Sequence, residues 1–320
     1  MDLAEFAAAS RVRFLIGKGG VGKTAVTCAL AKALADAGQR VLLVELEGRP
    51  EVPMAFGADT ELDYVELPLF ESPTGGSVIA RRLTPDEALL EYLSDHGMAR
   101  LSRRLLSSGV LDVVAGAIPG IREVLLLGKI KQIANEAPVD VVLVDAPATG
   151  HAVTLLTSPA GVATAARSGP VRHQADEVVA MLSDPTRASV ILVTIPEELP
   201  VTETIEAAFK VEDLAGVALG PVVANRVDVV SAALTTSAHD AAAAAHRELT
   251  PEVERALDDA ATFARHRARV GFDELARLRS ELPLPVIELP RVLAPAIGPE
   301  QLTVLADALT AGLAPITEAL

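Results

Sequence analysis

The chain has 320 residues, half of them hydrophobic, which is enough for a sizeable buried core in one large domain or two. With 28 Lys+Arg against 43 Asp+Glu the formal net charge is −15, and aromatic residues make up only 3% with no Trp; both argue against a general grip on nucleic acid or anionic lipid. The single cysteine, Cys28, excludes a disulfide framework or a zinc cage within one chain, though not a ligand shared between chains.

The N-terminal MDLAEFAAAS is acidic and short, with no basic region leading into an apolar one, so no signal peptide is expected. Mean hydropathy is +0.36. The most apolar stretch, 152–166, is interrupted by Ser158-Pro159 and Gly161. It is also shorter than the ~20 residues of a membrane span, so a cytoplasmic protein is expected. Apolar, β-rich runs at 12–16, 41–45, 139–145, 189–195, 221–225 and 286–289 carry little polar alternation, as strands buried on both faces do. A helix is expected over 24–37, stopped by Gly38. Thr84-Pro85-Asp86-Glu87 is a capping-box start, and Ser158-Pro159 and Thr250-Pro251 resemble it. The segment 68–77 is expected to be a flexible loop. Alternating strands and helices imply a mostly parallel sheet flanked by helices. Two long helical stretches interrupt that rhythm: about 84–136, with breaks near Gly97, Gly109 and Pro119-Gly120, and about 229–282, with Gly271 as a break. The expectation is one domain over 1–320 in which these two insertions form a helical subdomain.

The sequence Gly17-Lys18-Gly19-Gly20-Val21-Gly22-Lys23-Thr24 fits G-x(4)-G-K-[ST] between a buried strand and a helix. Glycines there let the backbone N–H groups of Gly19, Gly20, Val21 and Gly22 curl around phosphate oxygens, and the helix N-terminus adds positive charge. Lys23 then neutralises the β- and γ-phosphates of ATP, and the Thr24 hydroxyl ligates Mg²⁺. Another buried strand ends in Asp145, at the edge where open α/β sheets bind ligands, so Asp145 is the second metal candidate.

Lys18 carries further information. K-G-G-V-G-K-T resembles the deviant Walker A loop of the P-loop NTPases that include MinD, ParA, the nitrogenase iron protein and the ArsA-type ATPases. The run Asp145-Ala146-Pro147-Ala148-Thr149-Gly150-His151 looks like the D-T-A-P-T-G-H switch of the ArsA branch, which holds the arsenite-pump and tail-anchored-protein-targeting ATPases. It departs from that spelling at Ala146 to Ala148. The resemblance extends to an actinobacterial-type subgroup through E-x-E-G-R and P-G-I-R-E.

The resemblance implies an ATPase in which Lys18 reaches the nucleotide of a dimer partner, either an identical chain or a paralogous ATPase. It implies that Asp145 supports Mg²⁺ through a water, that Gly150 senses the γ-phosphate, and that Asn225 pairs with adenine beside Pro290. For His151 a plain helix-start residue with no chemistry is the better reading. The water-positioning Asp of the family falls on Glu47, one methylene longer. Glu47 then still acts, or turnover is slow, or the chain binds ATP and hydrolyses little; Glu45 is the fallback. The last option makes the chain a nucleotide-gated scaffold subunit that pairs with a catalytic paralogue.

Other branches of the family fit less well. Arsenite needs soft thiolates, which one cysteine does not supply. The intersubunit C-x-x-C zinc motif is absent, and four Met make no Met-rich client groove. Leu-rich segments 101–111 and 124–133 could line a groove for a hydrophobic protein client, although ordinary core faces are the better reading. The basic patch Arg265-His266-Arg267-Arg269 lies among acids and is expected to be a solvated helix face, so no nucleic-acid partner is expected. The tail LTAGLAPITEAL carries no Lys or Arg for a membrane-surface helix.

Overall fold

A computed structural model of the chain describes residues 3–48, 50–95, 119–228 and 232–314. Each of the six expected runs is a strand: β1 (Val12–Gly17), β2 (Arg40–Glu45), β5 (Val141–Ala148), β6 (Ala188–Thr194), β7 (Ala218–Val227) and β8 (Val286–Pro290). Two more, β3 (Leu67–Glu71) and β4 (Ser77–Arg82), complete one sheet of order β3-β4-β2-β5-β1-β6-β7-β8. All neighbours run parallel except β3 with β4.

Alternate residues of the central strands feed opposite cores. On β1, Val12, Phe14 and Ile16 face one cluster and Leu15 the other; on β5, Val142 and Val144 oppose Val141 and Leu143. This double burial is why these strands lack polar alternation. The first face is covered by α5 (Ile121–Glu136), α6 (Thr149–Ala165), α7 (Pro170–Leu182), α8 (Glu198–Lys210) and part of α10 (Pro251–Glu281). The second is covered by α1 (Leu3–Ala9), α2 (Lys23–Asp36), α3 (Glu51–Ala55) and α11 (Pro299–Leu313). Helix α4 (Pro85–Asp95) packs on α5, and α9 (Ala238–Ala244) on α10. Arg11 ties the C-terminal turn of α5 to the sheet by donating to the carbonyls of Ala134, Ala137 and Val139.

The helix starts at Thr84-Pro85 and Thr250-Pro251 are where expected. At the first, Thr84 Oγ1 and Glu87 form the capping pair at 2.6 Å. Helix α2 stops at Gly38, whose φ of +86° belongs to the left-handed region. Three expectations are corrected. Segment 68–77 is most of the β3–β4 hairpin rather than a loop, closed by the Ser72 N–H on the Gly76 carbonyl at 2.8 Å. Leu67 and Phe70 pack onto the second core, which fixes the hairpin on the sheet edge.

Pro159 does not start a helix but sits buried inside α6. The hydroxyls of Thr157 and Ser158 donate to Val153 and Thr154 carbonyls in the preceding turn, supplying hydrogen bonds around the ring. Gly271 does not break α10. It lets the helix approach Pro196, whose Cβ would lie 3.3 Å from an added methyl. The breaks near Gly97 and Gly109 and the segment 101–111 lie outside the described residues. The other groove candidate, 124–133, turns Val124, Leu127, Ile130 and Ile133 inward as core.

Two glycines give a direct test of this packing. A Cβ at Gly76 would lie 2.1 Å from the Ala35 carbonyl oxygen, whereas one at Gly161, within α6, meets nothing within 4 Å. Urea denaturation is expected to show Gly76→Ala destabilised by about 1–3 kcal/mol. Gly161→Ala is expected to be stabilised by about 0.5–1 kcal/mol.

Candidate functional site

The site lies at the C-terminal ends of β1 and β5, where the strand order reverses direction across the sheet. Residues 18–22 form the loop between β1 and α2, with Gly20 (φ +91°) and Gly22 (φ +85°) in the left-handed region. Gly22 is needed for a second reason. A Cβ there would sit 2.4 Å from Asn225 Nδ2, which donates to the Val21 carbonyl at 2.9 Å. Asn225, at the end of β7, therefore holds the loop closed while its Oδ1 accepts the Arg226 N–H at 2.9 Å. The amide retains one N–H and one lone pair.

Beneath the loop the predicted residues converge. Lys23 and Asp145 are both buried, with Nζ 3.7 Å from Oδ1. Thr24 Oγ1 donates to Asp145 Oδ2 at 2.7 Å, and Thr27 Oγ1 to Oδ1 at 3.3 Å. Burial pushes the Asp145 carboxyl above its ordinary range, against the opposing pull of Lys23 and the two hydroxyls. A hydroxyl and a carboxylate already in contact are hard oxygen donors of the kind magnesium takes. Among the described residues no group of three or more His, Cys, Asp and Glu could hold a metal alone.

The cavity above the loop has a volume of about 330 Å³ and is bordered by Lys18, Lys23, Thr24, Glu51, Arg226 and the loop 295–297. Its size falls within the roughly 300–1,000 Å³ of small-ligand sites. Glu47 is exposed on the loop after β2. Glu45, the fallback acid, is buried, and its two oxygens accept the Glu47 and Gly48 N–H groups at 2.7 and 2.6 Å. It thus shapes the loop that carries Glu47. Lys18 Nζ lies 2.7 Å from Glu203 Oε1 of α8. His151 is exposed in the first turn of α6 and does not border the cavity.

Three features escaped the sequence reading. Arg226, with φ +57°, is turned to the cavity wall directly after Asn225; its signal was only a basic residue following the strand-end amide. Glu203 of α8 is recognised only through its ion pair with Lys18. Asp228 joins two distant arginines: Arg291 Nε donates to it at 2.7 Å, and Arg267 Nε and Nη2 at 3.0 and 2.9 Å. Part of the basic patch on α10 is therefore ion-paired rather than merely solvated, and it is tied to the segment following Pro290.

A glycine-rich loop between a buried central strand and a helix, with a lysine and hydroxyl over a strand-end Asp, defines a P-loop NTPase of the parallel-sheet α/β class. Residues 10–168 match the family model described as Anion-transporting ATPase. The chain is 35% identical to ATPase BagA of Mycobacterium tuberculosis over 88% of this chain and 87% of that protein. It is 29% identical to the arsenical pump-driving ATPase of Acidiphilium multivorum over 72% of this chain, which spans 41% of that protein. It is 30% identical to the ATPase get3 of Schizosaccharomyces japonicus over 46% of this chain and 43% of that one. The chain belongs to the ArsA-type anion-transporting ATPase family.

The Asp228 clamp gives a pH signature. Burial works to raise its carboxyl, but hydrogen bonds from Arg291 and Arg267 outweigh it and hold the group below the ordinary Asp range. A lowered folded value means that this stabilisation is full above the unfolded carboxyl range and is lost as pH falls through the folded value. Thermal unfolding is expected to show Asp228→Asn below wild type at neutral pH, with the gap shrinking as acidity passes that point.

Proposed function

We propose that the chain is a cytoplasmic, Mg²⁺-dependent ATPase that works as a dimer, with itself or with a paralogous ATPase. In this reading its nucleotide state drives a helical subdomain formed by about 84–136 and 229–282. The observation that carries it is the convergence of Lys23, Thr24 and Asp145 beneath a preformed glycine loop. Bound MgATP would supply the phosphoanhydride to be cleaved and a divalent charge that offsets the negative charge developing on the phosphates. The chain's own residues do the rest. The amides of Gly19, Gly20, Val21 and Gly22 and the Lys23 ammonium bind phosphate oxygens, and Thr24 and Asp145 hold the metal. Glu47 orients the attacking water and accepts its proton. Lys18 adds positive charge at the partner's nucleotide. Asn225 and Pro290 border the base.

Several features support the coupling. Strand β5 runs from Asp145 directly into α6 at Thr149, so a shift at the metal ligand moves a helix. The Asp228 clamp connects the segment after Pro290 to α10. Exposed Phe263 and Phe272 on α10 suit a hydrophobic protein client. No metalloid site is proposed: Cys28 is fully buried in α2, and burial raises its thiol far above the ordinary range. Among the described residues no helix is long and apolar enough to cross a membrane. A second reading, a nucleotide-gated scaffold subunit with little turnover of its own, is favoured by one observation. In the isolated chain Lys18 is engaged by Glu203, so it becomes available only when that ion pair opens.

Binding and turnover measurements test these readings. Equilibrium titration is expected to show ATP affinity lowered about tenfold to hundredfold in Lys23→Ala; unchanged affinity contradicts the phosphate assignment. Steady-state hydrolysis is expected to fall by about 10²–10⁴ in Glu47→Gln. Lys18→Ala alone is also expected to be inactive. Mixing the two inactive variants restores part of the turnover if lysine acts across the interface, because the mixed dimer keeps one complete site. Absence of turnover in wild type with ATP still bound favours the scaffold reading.

A further inference from the structure

At the opposite end of β1 from the phosphate loop lies an unusual charge. Arg13 is 3% exposed. Its Nη1 donates to Ser189 Oγ at 3.1 Å and its Nη2 to the Phe6 carbonyl, while the guanidinium stacks 3.8 Å from the Phe6 ring centre. Nε has no hydrogen-bond partner, and no carboxylate among the described residues pairs with the group. A buried cation is normally paired, because dipoles alone leave its charge uncompensated. Burial with no opposing charge lowers the Arg13 pKa to about 10, in keeping with that imbalance.

Arg13 forms part of the wall of a cavity of about 360 Å³. The cavity is built from the N-terminal ends of β1, β6 and β7, the approach to β8, and the ends of α1 and α11. Its other walls are almost wholly apolar, and four prolines, Pro185, Pro221, Pro283 and Pro285, stiffen its rim. A preformed apolar cavity with one convergent polar group is the usual form of a small-molecule site.

We propose that this cavity is a second ligand site, separate from the nucleotide site, for a small apolar molecule bearing one carboxylate. The carboxylate meets Arg13 and the apolar body fills the proline-rimmed space. The Arg13 guanidinium and the Ser189 hydroxyl match a monoanion, the second lining hydroxyl, Ser10, being turned to the Val12 carbonyl. A phosphate dianion would bring surplus charge and more oxygens than these walls have donors for. A neutral molecule would fill the space but leave Arg13 uncompensated.

The test uses the whole chain and three probes of equal length: octanoate, octanol and octylamine. Calorimetry is expected to show saturable octanoate binding at least about tenfold tighter than octanol, with octylamine weakest. Ala218 borders the cavity away from the nucleotide site. Ala218→Leu, which fills the space, is expected to weaken octanoate at least about tenfold while leaving ATP affinity unchanged. Arg13→Gln is expected to bind octanoate and octanol alike. The proposal is overturned if octanoate fails to bind, if acid, alcohol and amine bind wild type equally, or if Ala218→Leu leaves octanoate affinity unchanged. Should Arg13→Gln fail to fold, the probe comparison in wild type and the Ala218→Leu result decide. ATP titration of the same variants reports separately on the nucleotide reading.

Discussion

The buried carboxylate of Asp145 organises the nucleotide end of the molecule. It stands at the end of a central strand with Leu15 of β1 on one side and Glu45 of β2 on the other, in register. That register brings three chain segments to one point. From β1 the glycine loop delivers Lys23 and the Thr24 and Thr27 hydroxyls to Asp145. From β2 the buried Glu45 uses its oxygens to fix the following loop, and so places Glu47 nearby. Burying Asp145 is costly in itself, and its hydrogen-bonded, ion-paired surroundings offset only part of that cost. A one-residue slip of β1 against β5 would uncouple the loop from the carboxylate and turn each core side chain to the wrong face.

The remaining contacts extend this arrangement across the sheet. Asn225 ties the glycine loop to β7, and Asp228, three residues on, ties β7 to Arg291 after β8 and to Arg267 on α10. The strand end that carries Asn225 and the long helix thus share one ion-pair cluster. At the far end of the same strands, Arg13 and its proline-rimmed cavity sit on β1, β6 and β7. Both ends of the central strands therefore carry buried charge, but only the nucleotide end supplies a counter-charge of its own.

The parallel core and the phosphate loop were legible because their sequence signals are strong and local. The central strands are continuous apolar runs, and the loop motif fixes glycines, Lys23 and Thr24 at set spacing. The β3–β4 hairpin was hidden because an edge strand need bury only some positions. Leu67 and Phe70 alternate with Pro68 and Glu71, and the Gly75-Gly76 turn looks like a loop. Pro159 and Gly271 misled for a related reason. Local propensity disfavours both in helices, but buried packing of the proline ring and close approach to Pro196 override it. Within the site, Lys18, Lys23, Thr24, Asp145 and Asn225 could be named from the chain. Arg226, Glu203 and Asp228 could not, since their importance comes from contacts between residues far apart in sequence.

The most direct test of the account is ATP affinity measured with and without Mg²⁺ for wild type and Asp145→Asn. The substitution preserves shape, removes the charge beneath the loop and replaces one of the two oxygens that accept from Thr24 and Thr27 with an amide donor. Magnesium is expected to tighten ATP binding at least about tenfold in wild type, and most of that gain is expected to vanish in the variant. Equal affinity with and without the metal, or an undiminished gain in Asp145→Asn, would contradict the assignment of Asp145 as the group that holds the metal at this site.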